Sequence, residues 1–318
     1  RRIPAPGTAG KRRVAKQPLE LCRLRDLGEI HIARRAAARA VPPAPLSREL
    51  SEMWAVTRAL FGNWPMANIV LGMTLVSFAG YGGGQFAPPY FIRAFGLTYG
   101  QVGLIVGLAA GLSQGIGALA GGPLTDRLAR YGTRWYALVP AIGVAIAYPL
   151  TAGVYLTSSW QIATVLILLP GLFAYTYLGP TFGLVQNVVP THQRATAAAI
   201  LLFFVNLVAL GGGPPFAGWL IDQISAFHFA QPGHGGALLP ALGCFFQTDA
   251  AGFQAACPGG VAPAGARPEA GAACKGALIL GTRQGIILTY GFYLWGALHY
   301  LLGSIGLTRA LARARGEA

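Results

Sequence analysis

Residues 101–134 read QVGLIVGLAAGLSQGIGALAGGPLTDRLARYGTR, and this stretch decides the fold class. The 25 residues from Gln101 to Thr125 carry no charge, and Asp126, Arg127, Arg130 and Arg134 follow at once. A hydrocarbon layer about 30 Å thick needs about 20 apolar residues in a helix. The run is therefore long enough to cross a membrane and to end in water. Five further stretches meet the same criterion: 65–91, 135–156, 160–189, 195–221 and 284–306. Hydrophobic residues make up 54% of the 318 and charged ones 11%, against roughly 25% charged in a soluble domain. Such a chain cannot coat a water-facing surface, and it lacks the charge of a disordered one.

Charge is concentrated at one end. Residues 1–60 hold 13 of the 24 Lys and Arg and five of the ten Asp and Glu, which is +8 of the net +14. A nucleic-acid site would need aromatic platforms among those cations, and Trp54 is the single aromatic there. The basic excess reads instead as a membrane protein's cytoplasmic flank, with no nucleic-acid partner. The expected organisation is a basic linker over 1–60 and a six-helix transmembrane domain over 61–318. Residues 47–61 alternate apolar and polar side chains at helical spacing, as a surface-lying amphipathic helix does. The chain opens on Arg1 with no signal peptide, so it reads as a piece of a longer protein.

Cations close to membrane spans favour the cytoplasm. One set of loops holds Arg48, Arg58, Arg127, Arg130, Arg134, Arg194, Arg309, Arg313 and Arg315; the other holds Arg93, Lys275 and Arg283. Both termini are expected in the cytoplasm, across a bacterial inner membrane. The long connection at 222–283 then falls outside. It contains Cys244, Cys257 and Cys274, without metal-ligand spacing. Either Cys257 and Cys274 form a disulfide, or the loop keeps three free thiols.

Gly103, Gly107, Gly111 and Gly115 stack on one face of the second span, a surface for close helix packing that Gly117 and Gly121 continue. The first span holds Gly80, Gly82, Gly83, Gly84, Pro88 and Pro89, and the fourth holds Pro170, Gly171, Gly179 and Pro180. Breaks at matching positions of a three-plus-three inverted repeat point to a transporter's substrate site. They bring Tyr81, Gln85, Tyr175, Tyr177 and Thr181 to mid-membrane depth, either as a cavity wall or as interhelical hydrogen bonds. No nucleophile with a base and no carboxylate pair shares a common depth, so neither an enzyme nor a cofactor or metal site is expected. His299, inside the last span, reads as a packing residue rather than a proton relay.

The loop Gly122-Pro123-Leu124-Thr125-Asp126-Arg127-Leu128-Ala129-Arg130 resembles the Gly-x-x-x-Asp-Arg-x-Gly-Arg signature of the major facilitator superfamily, with Ala129 where Gly is usual. The segments 190–197 and 213–222 resemble the closing half of that fold. Together with 78–82 and 297–300 they are most similar to its Spinster-like branch. The resemblance implies an all-α protein holding the C-terminal six of twelve helices, partnered by a missing N-terminal six-helix half. Asp126 stands at a helix C-terminal end, where the helix's own negative pole disfavours a carboxylate. It needs a partner: Arg127, Arg130, or the N-terminal end of another helix. The resemblance implies the last, with Gly122, Asp126, Arg127 and Arg130 forming a cytoplasmic gate; otherwise the cluster only fixes orientation. The resemblance also implies a secondary transporter working by alternating access on a small or lysolipid-like amphiphile within membrane lipid. The competing readings are a non-transporting scaffold or accessory module, and a truncated product inactive alone.

Overall fold

The computed structural model of the protein describes residues 45–232 and 248–315, and every regular element among them is helical. The described residues from Ser51 onward form one compact unit, whose boundary falls inside the first helix. That helix, α1 (Leu46–Phe61), buries Val56 and Leu60 and exposes Met53 and Trp54. Six long apolar helices follow: α2 (Trp64–Phe95), α3 (Tyr99–Ala129), α4 (Trp135–Leu156), α5 (Trp160–Asn187), α6 (Thr191–Ala230) and, after the short α7 (Ala250–Ala256), α8 (Pro268–Ser304). A terminal helix α9 (Leu307–Arg315) buries Leu307, Ala310 and Leu311. The chain is an integral, multi-pass membrane protein.

Local sequence explains where the helices start and stop. Pro65 sits in the first turn of α2, where a missing N–H leaves nothing unpaired. The same helix ends at Gly96, which takes φ +69° and donates its N–H to the Ile92 carbonyl. Thr98 and Gln101 form a reciprocal capping box at the start of α3.

Packing follows an inverted repeat. α2 packs against α6 and α8, while α5 packs against α3 and α4, and α4 meets α8 across the middle. Exchanging the first span with the fourth, the second with the fifth and the third with the sixth reproduces this pattern, as a three-plus-three repeat requires. α2 lies deepest, with 67% of its most apolar window buried, whereas α3 and α6 bury only 28% each. The matching helices α3 and α6 therefore carry the outer surface of the bundle. Each also contains a π-helical segment, Gly103–Ala109 in α3 and Asn206–Leu210 in α6.

Two glycine sets exchange the roles expected of them. α2 is not broken: it runs as one helix through Gly80–Gly84, Pro88 and Pro89. Opening the ladder inside a membrane would leave backbone groups without water, and these glycines serve another need. A Cβ on Gly82 would lie 2.9 Å from the Gly213 carbonyl oxygen and from Thr289 Cγ2, and one on Gly83 would enter the Tyr290 ring. They admit α6 and α8. The Gly103, Gly107, Gly111 and Gly115 face has the opposite fate, because among the described residues nothing approaches within 4 Å of a Cβ at any of them. Close packing of α3 falls instead to Gly117, where a Cβ would lie 2.6 Å from the carbonyl oxygens of Gly171 and Leu172, and to Gly121 against Thr176. The break expected in α5 does occur, at Ile167 and at a 3-10 turn over Tyr175–Tyr177.

The connection expected at 222–283 is shorter than that, because α6 reaches Ala230 and α8 begins at Pro268. Polar pairs let these helices outrun their apolar stretches. His228 Nε2 and Gln284 Oε1 are 2.9 Å apart and buried, and Gln254 of α7 donates to Asp222 at 2.7 Å. Thr248 donates to Gln223. A disulfide joins Cys257 to Cys274, Cα atoms 5.5 Å apart; Cys244 lies outside the described residues.

Candidate functional site

Five of the six spans enclose a cavity of about 250 Å³. Gly80 and Gly84 of α2 leave room on one side, and Ser113 and Gln114 of α3 stand on another. α4 contributes Thr151 and Tyr155, α5 Tyr175, and α8 Tyr290 and Tyr293. Tyr290 and Tyr293 are three residues apart and so share a helix face; their rings meet at 5.2 Å. Tyr155 stacks on Tyr290 at 6.5 Å, and its carbonyl accepts from the Tyr90 hydroxyl at 3.2 Å. Ser113 and Thr151 return their hydroxyls to Ala110 and Ala147 of their own helices. The hydroxyls of Tyr175, Tyr290 and Tyr293 have no hydrogen-bond partner among the described residues. Phenolic O–H groups without a protein partner need water or a ligand's polar atoms.

Of the five residues expected to line a cavity, Tyr175 alone does so. Tyr177 is buried and shares a 3.3 Å hydrogen bond with Ser77 of α2. Thr181 is sealed against the Tyr300 hydroxyl of α8 at 2.7 Å. Both take the interhelical alternative, Tyr177 across the seam with α2 and Thr181 across the seam with α8. Tyr81 and Gln85 share an exposed strip of α2, next to Gly80 and Gly84 but outside the enclosed space. Gln114, Tyr155, Tyr290 and Tyr293 were missed. The sequence signal for them was tyrosine at helical spacing and an amide inside an apolar run.

The Asp126 end has its own network. Asp126 accepts a hydrogen bond from the Tyr136 hydroxyl at 2.9 Å. The partner within this chain is thus a phenol of α4 rather than Arg127 or Arg130, both of which are exposed. Thr133 and Thr308 hydrogen-bond at 2.6 Å and tie the α3–α4 turn to α9. Gly122 packs where a Cβ on Gly179 would come within 3.4 Å of it, so α3 and α5 touch backbone to backbone beside Asp126. His299 Nδ1 lies 2.9 Å from Asn68 Oδ1, a pairing of α8 with α2. Among the described residues no three His, Cys, Asp or Glu gather as a metal site.

With the geometry in hand, the chain can be compared with known proteins. Residues 69–312 match the Major Facilitator Superfamily profile. An MFS-type efflux pump of Mycolicibacterium smegmatis is 32% identical over 157 residues, covering 49% of this chain and 36% of that protein. A crystal structure of a bacterial homologue of the human lysosomal transporter Spinster, inward-facing and occupied, is 25% identical with a TM-score of 0.62. It covers 79% of this chain and 51% of its own. The same homologue in its inward-facing, unoccupied conformation gives 24% identity and a TM-score of 0.64 over 86% of this chain and 53% of that one. The chain thus spans about half the length of these solved structures.

Proposed function

The chain belongs to the major facilitator superfamily, and on that premise we propose that it forms the C-terminal half of a secondary transporter that moves an amphiphilic solute by alternating access. The observation that carries this is the cavity of about 250 Å³ lined by Tyr175, Tyr290 and Tyr293, whose hydroxyls have no hydrogen-bond partner among the described residues. Whole small-molecule ligands take pockets of roughly 300–1,000 Å³. This half therefore holds part of a solute, and the rest of the site belongs to a companion six-helix half. The open glycine face of α3 and the exposed strip with Tyr81 and Gln85 are surfaces that such a half would cover. Phenol and amide groups over apolar walls suit a polar head with a hydrocarbon chain, which supports a lysolipid-like substrate. The names of the relatives, an efflux pump and a Spinster homologue, support transport.

In this reading Asp126, with Gly122, Arg127 and Arg130, closes the cytoplasmic side against the companion half. Tyr136 holds the carboxylate ready when that side is open. Both termini face the cytoplasm of the bacterial inner membrane, and residues 1–60 join the two halves. A lysolipid carrying a photoreactive diazirine tests the site. Irradiated with the assembled protein, it should label peptides containing Tyr175 and Tyr290. Labelling confined to exposed apolar positions of the other helices, such as Ile142 and Leu298, would remove the cavity from the transport path.

A further inference from the structure

A second cavity, of about 390 Å³, lies at the opposite end of the bundle from Asp126. Its wall includes Arg93 from the last turn of α2, Arg267 just before α8, and Lys275 on α8. All three are exposed. Of the four Lys and Arg among the described residues at this end, three thus converge on one space. The acids at this end are engaged elsewhere: Asp222 accepts from Gln254, and Asp249 accepts from the Gly252 N–H. Glu269, the acid nearest in sequence, does not line the cavity.

The space is built rather than left over. The Cys257–Cys274 disulfide pins the preceding segment to α8. Gly259 and Gly260 then turn it with φ +61° and +80°, values that favour glycine. Gly260 sits against Leu278 of α8, where a Cβ would collide with that side chain. Leu278 and Ala262 give the cavity an apolar floor, and Val261 stands 68% exposed at its rim. Three cations around an apolar floor, on helices that enter the membrane here, match a molecule with an anionic head and a hydrocarbon tail.

We propose that this cavity binds the phosphate headgroup of an anionic lipid, with Arg93, Arg267 and Lys275 around the phosphate and the tail along Val261 and Leu278. The site is separate from the tyrosine-lined cavity and does not depend on its function. Arginine offers paired N–H groups to phosphate oxygens, and lysine adds a point charge.

Native mass spectrometry of the full chain, titrated with phosphatidylglycerol, phosphatidylcholine or inorganic phosphate, tests the proposal. Near an anionic surface each cation is worth about a fivefold change in binding. Combining Arg93→Gln, Arg267→Gln and Lys275→Gln should therefore weaken the tightest phosphatidylglycerol adduct about 100-fold and leave weak phosphatidylcholine adducts unchanged. If the triple variant folds poorly, Arg267→Gln and Lys275→Gln singly, both at exposed positions, should each show the fivefold loss. Equal phosphatidylglycerol binding by wild type and variants would overturn the site. Inorganic phosphate displacing the lipid at equal concentration would overturn the lipid assignment.

Discussion

At the scale of single residues, the polar side chains within the bundle divide by whether the protein itself satisfies them. Thr181 and Tyr300 satisfy each other in a buried seam, as do Tyr177 and Ser77. Thr181→Val leaves the Tyr300 hydroxyl buried without a partner, at a cost of about 1–3 kcal/mol. A lower unfolding temperature with unchanged affinity for substrate in the folded fraction is the expected outcome, measured by thermal denaturation beside a binding isotherm. Tyr175 lines the cavity, and its hydroxyl has no hydrogen-bond partner among the described residues, so Tyr175→Phe should do the reverse and weaken binding while leaving the unfolding temperature in place. Asp126 belongs to neither group. Its carboxylate is held by Tyr136, and Tyr136→Phe should alter the balance of open and closed states in the same assay as Asp126→Asn. A change of about 5- to 150-fold is the usual range for such coupling. Normal rates and normal populations in both variants would leave Asp126 as a charge that only orients the loop.

At the scale of helices, the spans themselves were legible in the sequence because 20 uncharged residues in a row have few other uses. The use of the glycines was not. Four-residue spacing marks a smooth face, yet it does not say what lies on that face. Gly117 and Gly121, which continue that surface off the regular series, receive α5, while among the described residues nothing comes within 4 Å of a Cβ at Gly103, Gly107, Gly111 or Gly115. Likewise, Gly80–Gly84 with two prolines nearby looked like a break, but the helix stays whole, and Gly82 and Gly83 serve to admit α6 and α8. Which alternative Tyr177 and Thr181 take was not legible, because Tyr177 lies in a 3-10 turn and Thr181 just after it, and no residue type announces that turn. The glycine assignment can be tested by a pair of substitutions. Gly117→Ala drives a methyl into the Gly171 and Leu172 carbonyls, an overpacking cost of about 1–3 kcal/mol. Gly111→Ala should leave the stability of this half unaltered and reduce activity in the assembled transporter. Equal melting temperatures for the two variants would contradict the packing described.

At the scale of the whole molecule, the chain is a six-helix inverted repeat with one strongly buried helix and two weakly buried ones. The weakly buried α3 and α6 occupy matching positions, and each holds a π-helical segment. Exposure at symmetric positions leaves the bundle a surface that the proposed companion half would cover. The family and the membrane architecture were both readable from the Asp126 loop and the six apolar runs. The tyrosine-lined cavity was not, because its residues come from five helices and only the fold brings them together. Orientation remains testable by charge: a single cysteine at position 134 should react with an impermeant thiol reagent only after the cytoplasmic side is exposed. The central claim, that the tyrosine-lined cavity is half of a transport path, is tested most directly by uptake of a labelled lysolipid into proteoliposomes containing this chain with its companion half. Uptake well above protein-free vesicles, reduced at least tenfold when Tyr175, Tyr290 and Tyr293 are all changed to Phe in a protein that still folds, is the predicted result. Uptake by the triple variant at the wild-type rate would contradict the claim.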